Sequence, residues 1–527
     1  MRTLNSPKLI LAGLIAFCSS NCMVAQTQST VAAPAQWNSA GQGVSDNWNQ
    51  PAETRISVSN AKTLVKKWVF TTQGDVSATP TVNGGAVYFP DWAGNLYAVN
   101  SSTGALIWSH KIAEYDSMTG GVSRTSPAVV GNMLIIGDHP PSIEEHGGAY
   151  LIAVSRSTGA LIWKTQVEKH PSAMITGSPV VYSNVVYIGV SSVEEALAER
   201  TNYVCCTFRG SVVALNATTG KMLWQTYVMP DNLGNAGGYS GGAIWQPPSI
   251  DTTRKLLYIG TGNNYSVPAS VEQCEKAGVA AGKTPNCTAP SDHFDSALAL
   301  NLADGSIKWA TRTTSWDDVN NACDLQPAGY NCPSPAGPDI DMSGDGPNLI
   351  GSLVVLGQKN GNLRAYNADT GKVVWATGVG PGGSLGGIMW GTATDGTRIY
   401  VPISNSEHKT YKLIPSGKSI NWGSWSALDA PTGKILWQAA DPISGSMDVS
   451  SASIANGVLY VGSLDHTGHM YALNAATGAV LWSYASGGSV IDAPSIVNGV
   501  LYWGSGYRRY SGIGSTGNNK VYAFSLP

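Results

Sequence analysis

Short strands of alternating side-chain character recur along the chain, and each leads into a Thr-Gly or Asp-Gly turn, three residues and a tryptophan. Residues 96–99 (Leu-Tyr-Ala-Val) and 470–473 (Met-Tyr-Ala-Leu) are two such strands. A period of two that ends at a glycine turn predicts a half-buried β-hairpin. The phrase occurs seven times, ending at Trp108, Trp163, Trp224, Trp309, Trp375, Trp437 and Trp482.

Proline-led strands precede these hairpins. The segments "ATPTV", "TSPAVV", "GSPVVY", "PPSI" and "DAPSIV" come first, and strands such as "VYF", "VYIG" and "LYVG" follow them. Two such strands and one hairpin make four strands per unit, which is typical of a propeller blade.

The two ends of the chain carry complementary parts of one further unit. Residues 67–70 (Lys-Trp-Val-Phe) resemble a final strand without its predecessors, and the C-terminal stretch from "DAPSIV" supplies three strands without a fourth. Pairing the ends closes a ring and removes an exposed sheet edge. The sequence therefore predicts an all-β fold, an eight-bladed β-propeller of four-stranded antiparallel blades with Trp-type repeats, closed by pairing of its N- and C-terminal strands.

The spacing of the tryptophans widens in the middle of the chain. The longest insertions are at about residues 190–208, 262–294, 311–346 and 404–424. Insertions on a rigid ring commonly carry function, so candidate site residues are sought there.

Composition excludes some function classes. Of the 527 residues, 12% are charged, about half the usual share for a soluble protein, and the net charge is −3. Such a chain has no net positive charge that would attract nucleic acid. Its 17 Trp and 22 Tyr supply ample area for a core.

The first 25 residues predict a secretory signal peptide. Arg2 and Lys8 precede an apolar run at residues 9–17, which is too short to span a bilayer. Lipidation is disfavoured because neither Cys18 nor Cys22 follows a small residue. We expect a periplasmic or secreted protein without a transmembrane segment, with an N-terminal extension at residues 26–59 and one propeller domain at residues 60–527.

Six cysteines remain after the signal peptide, and an even number in an exported protein suggests disulfides. The expected pairs are Cys274 with Cys287, Cys323 with Cys332, and the adjacent Cys205 and Cys206. A zinc site is the alternative, although the spacings contain no CxxC pair. The chain also lacks the CxxCH motif of covalent haem c.

The repeat, together with "GVSSVEEALAERTNYVCCTFRGSVVALNATTG", "GYSGGAIWQPPSID" and "GTGNNYSVP", resembles the quinoprotein alcohol dehydrogenase family, and most of all its polyvinyl alcohol dehydrogenase branch. Members of that family bind pyrroloquinoline quinone (PQQ) and a divalent metal on the propeller axis. The alternative is a cofactor-free scaffold propeller of the outer-membrane assembly type, which shares the repeat and binds other proteins.

The resemblance implies a metal site. Glu194 ends a segment similar to the family's Ser-Gly-Ala-Glu, Asn263 ends a similar "GTGN", and Asp317 completes the implied ligand set. Hard oxygen ligands suit calcium. Alternatively, Glu194 is a solvated loop residue beside Glu195, and Asn263 serves a turn.

The resemblance also implies residues that bind the cofactor. Trp245 matches the tryptophan beneath the quinone ring, although Ala243 replaces the family's nearby threonine. The matching positions for the carboxylates and quinone oxygens are Arg124, Thr176, Ser191, Ser192, Val193 and Lys359. Arg209 is a further candidate, for which a surface charge is the alternative.

The implied catalytic base is Asp317, in the family's Trp-Asp motif, with the adjacent Asp318 as the alternative. Lanthanide-using relatives carry a second aspartate where this chain has Val319, which favours calcium. The family's mechanism implies that the metal polarises the quinone, that the base removes the hydroxyl proton, and that hydride passes to PQQ.

Further expectations concern the substrate, the acceptor and the adjacent cysteines. The resemblance implies secondary alcohols or polyvinyl alcohol-like substrates and a separate acceptor, such as cytochrome c. Cys205 and Cys206 are expected near the cofactor pocket, because methanol-oxidising relatives carry an adjacent pair there, one blade earlier.

Overall fold

Four-stranded antiparallel sheets repeat eight times along residues 36–527, the part of the chain that the computed structural model describes. The predicted signal peptide, residues 1–25, lies outside these residues. From the axis outward, blade 1 contains Thr81–Asn83, Ala86–Pro90, Asn95–Asn100 and Leu106–Lys111; blade 2 Ala128–Val130, Met133–Gly137, Ala149–Ser155 and Leu161–Glu168; blade 3 Val180–Tyr182, Val185–Ser192, Ser211–Asn216 and Met222–Tyr227; and blade 4 Ser249–Asp251, Leu256–Gly260, Ser296–Asn301 and Ile307–Arg312.

Blades 5 to 8 complete the ring. Blade 5 contains Asn348–Ile350, Leu353–Gly357, Asn362–Asn367 and Val373–Gly378; blade 6 Ala393–Thr394, Arg398–Ile403, Ser424–Asp429 and Ile435–Ala440; blade 7 Ala452–Ala455, Val458–Gly462, His469–Asn474 and Val480–Ala485; and blade 8 Ser495–Val497, Val500–Ser505, Lys520–Ser525 and Val65–Thr71. The outer strand of blade 8 is therefore the first strand of the chain. Val65–Thr71 pairs antiparallel with Lys520–Ser525, with Val69 opposite Tyr522, which confirms the predicted closure.

Each repeat tryptophan joins its blade to the next. The eight indole Nε1 atoms, including that of Trp68, each donate to a backbone carbonyl of the following blade at 2.9–3.1 Å. Trp309, for example, donates to Ala368 O at 3.0 Å, and its ring lies against Gly371 in the turn of blade 5. A Cβ at Gly371 would lie 2.5 Å from Trp309 Cε3, so the recurrent glycine makes room for the neighbouring indole.

Residues 36–53 precede the first blade and lie against the innermost strands. Backbone hydrogen bonds join Trp37 to Val82, Asn38 to Val129, Val44 to Ile250, Ser45 to Leu349, Asn47 to Thr394 and Gln50 to Ile454, and Gln50 Nε2 donates to Ile496 O in blade 8. This segment, called here the N-terminal floor, thereby contacts the inner strands of seven blades. It makes up most of residues 36–59, the described part of the predicted N-terminal extension.

Helices, two small sheets and disulfides occupy the segments between the regular strands. The α-helices are Ala113–Asp116, Glu194–Leu197 and Ala269–Ala280, and the 3-10 helices are Ala61–Thr63, Asn321–Asp324 and Arg508–Ile513. Short strands pair Ser240–Gly241 with Asn264–Ser266 and Tyr411–Lys412 with Ser419–Ile420, and Ala173–Met174 pairs with the end of Val185–Ser192. The three expected disulfides are present: Cys205–Cys206, Cys274–Cys287 and Cys323–Cys332.

Among residues 36–527, none of the helices has the length and apolarity needed to cross a membrane.

Candidate functional site

A small polar cavity lies where the inner strands converge. Its walls include Arg124, Thr176 and Trp390, and the N-terminal floor contributes Ala40 and Trp48. The hydroxyl groups that line it come from the segments just before the innermost strands: Ser77, Thr79, Ser126, Thr176, Ser178 and Ser451.

Arg124 brings an uncompensated positive charge to this cavity. Its Cζ lies 4.5 Å from the ring centroid of Trp390 and 5.9 Å from those of Trp92 and Tyr507. Within residues 36–527, none of the ion pairs includes Arg124. Asp492 also lines the cavity, but it forms no ion pair with Arg124, and a guanidinium held between aromatic rings without an ion-pair partner suits an anionic planar ligand.

Lys359 lies in a second polar group. Its Nζ is 2.6 Å from Asp339 Oδ1 and 2.9 Å from Asp341 Oδ2, and the side chain is nearly buried. Burial alone lowers the pKa of Lys359, but the two carboxylates outweigh that effect and hold its pKa well above the usual value. Lys359 therefore carries a fixed positive charge.

Asp317 joins the same group. Its Oδ1 accepts from the backbone N–H of Asp339 at 2.9 Å, and its Oδ2 accepts from that of Ile340 at 2.8 Å. Burial raises the pKa of Asp317 to about 7. The buried side chain of Asp295 lies within hydrogen-bond reach of the Asp317 carboxyl, and burial together with this charge raises its own pKa.

Asp318 points away from this group. Its Oδ1 accepts from Asn264 Nδ2 at 3.0 Å, and its carboxyl contacts that of Glu275 on the helix Ala269–Ala280. Asp318 and Asn264 also form a parallel β-bridge, so the segment is extended and successive side chains face opposite ways. Of the two aspartates, Asp317 is the one that lies with Lys359.

Glu194 is fully buried, and protein donors already occupy its carboxylate. Its Oε1 accepts from Tyr203 Oη at 3.0 Å and Thr207 N at 2.8 Å, and its Oε2 accepts from Phe208 N at 2.8 Å and Ser240 Oγ at 3.1 Å. These bonds fasten the segment after Cys206 to the blade. A metal bound by Glu194 would have to share oxygens that four donors already use.

Glu195 has different surroundings. It lies in the field of Lys359, Asp339, Asp341 and Asp317, and burial together with the three aspartates raises its pKa to about 8 against the opposing effect of Lys359. The side chain of Glu195 thus faces the group that contains Asp317. The sequence did not indicate Glu195, because the family motif matches at its neighbour Glu194.

Asn263 is buried, and its amide group is fixed. Its Nδ2 donates to Val319 O at 2.7 Å and to Asn264 O at 3.0 Å. Because the two nitrogen protons are engaged, the amide oxygen is turned away from these carbonyls, in an orientation that suits a ligand oxygen.

The remaining predicted cofactor residues form one connected patch. Ser191 Oγ donates to Thr176 Oγ1 at 3.0 Å, and Ser192 Oγ accepts from Glu194 N at 3.2 Å. Val193 packs with Met174 and Leu197, and the half-buried Trp245 packs against the same cluster.

Arg209 is placed differently. It forms an ion pair with Asp231 at 3.0 Å, and its Cζ lies 4.1 Å from the ring centroid of Tyr227. Its charge is therefore already paired with a carboxylate, unlike that of Arg124.

The adjacent cysteines lie beside the segment that carries Asp317. Cys206 is buried with Phe208 and Tyr265, and Asn320 Nδ2 lies 3.9 Å from Cys205 Sγ. Asn320 follows Asp317 by three residues, so the pair borders the candidate site.

The residues present fit PQQ, whose three carboxylates and planar rings match the free charge of Arg124, the hydroxyl-lined cavity and the half-buried Trp245. No group of three or more His, Cys, Asp or Glu side chains in residues 36–527 is arranged to hold a metal ion by itself.

Several residues of the site were not predicted from the sequence: Trp92, Trp390, Asp295, Asp339, Asp341 and Glu195. Trp390 carried a usable signal, because it is a tryptophan outside the repeat phrase. The acidic residues lie in irregular insertions, where no periodicity indicates which way a side chain points.

A family profile described as outer membrane protein assembly factor BamB matches residues 39–193 and 421–525. A polyvinylalcohol dehydrogenase from Pseudomonas sp is 30% identical over 513 residues, which cover 90% of this chain and 73% of the relative. Another, from Sphingopyxis sp. (strain 113P3), is 29% identical over 561 residues, which cover 96% and 78%.

The crystal structure of a quinohemoprotein alcohol dehydrogenase from Comamonas testosteroni has the same fold, with a TM-score of 0.67 at 20% identity over 93% of this chain and 80% of that one. The profile matches regular blades towards the two ends of the chain, whereas the two dehydrogenases match through the insertions as well. The chain therefore belongs to the PQQ-dependent quinoprotein alcohol dehydrogenases and is an oxidoreductase similar to their polyvinylalcohol dehydrogenase branch.

Proposed function

We propose that this protein oxidises secondary alcohols or polyvinyl alcohol-like substrates in the periplasm, with PQQ and calcium, and passes the electrons to a separate acceptor. The observation that carries the proposal is Arg124, a positive charge without a carboxylate partner among the described residues, beside a hydroxyl-lined cavity on the axis. The names of the two dehydrogenases support the substrate class.

In this proposal the chain holds the cofactor from several blades. Arg124, Thr176 and Ser191 hold the carboxylates, Trp245 supports the ring beside Ser192 and Val193, and Lys359 donates to the quinone oxygens. Bound PQQ supplies a two-electron acceptor for hydride, and calcium supplies a Lewis acid.

Asp317 is the proposed base. The backbone N–H groups of Asp339 and Ile340 each hold one of its oxygens, which fixes the direction of the carboxylate. Burial raises the pKa of this carboxyl to about 7 in the chain alone, and a bound calcium would lower it again, so Asp317 would be ionised at neutral pH and able to take up the hydroxyl proton. Asp317 also completes the proposed metal site.

The protein ligands for calcium are proposed to be Asn263, Asp317 and one carboxylate of the Glu194–Glu195 pair. Glu194 is the residue that matches the family motif. Glu195 offers the freer oxygens, because four protein donors occupy those of Glu194. Carboxylate and amide oxygens are the ligands that calcium prefers.

The electron acceptor is proposed to be a separate cytochrome c. The sequence has no CxxCH motif for a haem of its own. One relative, 24% identical over 84% of this chain, is named lupanine 17-hydroxylase [cytochrome c].

The test is reconstitution. Purified protein is mixed with PQQ, calcium or both, and dye reduction is followed with primary alcohols, secondary alcohols and polyvinyl alcohol. We expect activity only with both additions, and greater activity on secondary than on primary alcohols. Arg124→Gln should lower PQQ affinity, whereas Arg209→Gln, which removes a surface guanidinium, should leave it unchanged.

Absence of dye reduction with every alcohol, together with no PQQ binding, would favour the scaffold propeller instead. Fractionation of cells that produce the full chain tests the location. The proposal requires the protein in the periplasmic fraction.

A further inference from the structure

Three large apolar side chains are far more exposed than the others in residues 36–527. Tyr330 is 91% exposed, Leu233 80% and Val204 76%, and the next, Leu106, is 53% exposed. Leu106 and most of the remainder lie on the outer strands of the blades and recur around the ring. The first three instead lie on irregular segments between regular strands.

The three segments are fastened together. Asn331 Nδ2 donates to Ala198 O and Tyr203 O, both at 3.0 Å, which ties the loop of Tyr330 to the segment that carries Val204.

The loop of Leu233 is tied to the same segment at Thr207. Asn232 Nδ2 donates to Thr207 O at 2.8 Å and to Tyr239 O at 3.0 Å. Val204, Leu233 and Tyr330 therefore border one region of the surface, which we call the apolar rim.

The apolar rim adjoins the candidate site. Thr207 N donates to Glu194 Oε1 at 2.8 Å. Asn320, three residues after Asp317, donates through Nδ2 to Asn331 O at 2.9 Å. The rim therefore rests on the segments that carry the candidate base and the motif glutamate.

Apolar side chains that gather in one region of a surface, unlike those scattered singly, mark candidate binding sites. Because the asparagine bonds already order the loops, the loops themselves lose little additional freedom when a ligand covers the rim. Three separate side chains provide much less than the roughly 800 Å² per partner of a stable protein interface. A flexible chain that touches several points fits the rim better than a second globular protein does.

We propose that Val204, Leu233 and Tyr330 bind the chain of a polymeric alcohol while one of its carbinol groups reaches Asp317. The proposal rests on the proposed function and names its substrate class. The methylene groups of such a polymer contact the apolar side chains, and its hydroxyls remain free to bond with water or loop carbonyls. A short alcohol fills only the inner site and does not reach the rim.

The test compares substrates of two lengths in the PQQ- and calcium-loaded protein with a dye acceptor. The triple variant Val204→Ser, Leu233→Ser, Tyr330→Ser is assayed with polyvinyl alcohol and with a short secondary diol. We expect kcat/KM for the polymer to fall roughly tenfold and kcat/KM for the diol to stay unchanged. Leu106→Ser, an equally apolar exposed side chain on blade 1, should change neither value.

Equal losses on polymer and diol, or no loss on the polymer, would overturn the proposal. A loss seen only when cytochrome c replaces the dye would assign the rim to the acceptor and would also overturn it. Polymer binding to the protein without PQQ is measured separately, and the triple variant should bind more weakly. That measurement decides the role of the rim even if the wild-type protein oxidises no alcohol, a result that counts against the proposed function alone.

Discussion

Asp317 and Asp318 are consecutive residues, yet their carboxyl groups belong to different clusters. Asp317 accepts from the backbone of Asp339 and lies in the group that contains Lys359. Asp318 accepts from Asn264 and contacts Glu275 on an inserted helix. Geometry thus separates two candidates that the sequence could not distinguish.

Asp317→Asn should lower kcat by roughly 10²–10⁴ while PQQ stays bound, because that factor is typical of a positioned proton acceptor. Asp318→Asn should cost far less, since its carboxyl faces Asn264. Turnover and bound PQQ are measured for both variants. Full activity of Asp317→Asn would show that Asp317 is not the base, and the measured activity of Asp318→Asn would then decide whether Asp318 has that role.

Glu195→Gln should weaken calcium binding at least about tenfold, because it removes the freer anionic ligand. Glu194→Gln should act mainly on stability, because its new amide nitrogen cannot accept from donors such as Phe208 N and Ser240 Oγ. Each lost acceptor costs about 1–3 kcal/mol. Calorimetric calcium titration and thermal melts distinguish the variants. The reverse pattern would assign the metal to Glu194.

Deletion of residues 64–70 should lower the melting temperature of the whole protein. It removes most of the outer strand of blade 8, exposes the edge Lys520–Ser525, and leaves Trp482 Nε1 without the carbonyl of Leu64. Calorimetry of the truncated and complete proteins measures the effect. An unchanged melting temperature would contradict the closure.

Gly371→Ala should destabilise the protein more than Gly351→Ala. Both glycines have positive φ, +70° and +61°, so both substitutions carry the same backbone strain. Only at Gly371 does a Cβ collide with the neighbouring Trp309 ring. The difference in unfolding free energy should be about 1–3 kcal/mol in urea titrations. Equal losses would show that the indole can move aside.

Asp448→Asn should stabilise the protein at alkaline pH. The side chain is buried, both oxygens lack a hydrogen-bond partner in the described structure, and burial with the nearby Asp441 raises its pKa well above 3.8. The protonated form is therefore favoured in the folded state, and stability falls as pH rises from the unfolded pKa towards the folded one.

The melting temperature of Asp448→Asn should exceed that of the wild type at pH 8, and the difference should shrink towards pH 4. The introduced amide can donate to Asp441 Oδ2, which has no other partner among the described residues. A difference that does not change with pH would contradict the assignment.

The regular part of the molecule was predictable because its signal is local and repeated. Each tryptophan phrase fixes a hairpin and a contact with the next blade, and the incomplete units at the chain ends imply closure. The disulfide pairs followed from their short spacing. These predictions of fold and pairing are confirmed.

The site was less accessible from sequence because its side chains come from irregular segments. The motif at Glu194 identifies the loop, but the turn of the short helix Glu194–Leu197 decides which of two adjacent glutamates faces Lys359. Asp339 and Asp341 meet Lys359 only through tertiary contact. The roles of Arg124, Asn263 and Asp317 stay predictions until the variants are measured.

The N-terminal floor limits the directions from which a molecule can reach the cavity. Ala40 and Trp48 form part of the cavity wall, and the floor is bonded to the inner strands of seven blades, so the described residues cover the cavity on that side. Under the proposed function, alcohol would then reach the cavity, and oxidised product would leave it, from the side opposite the floor.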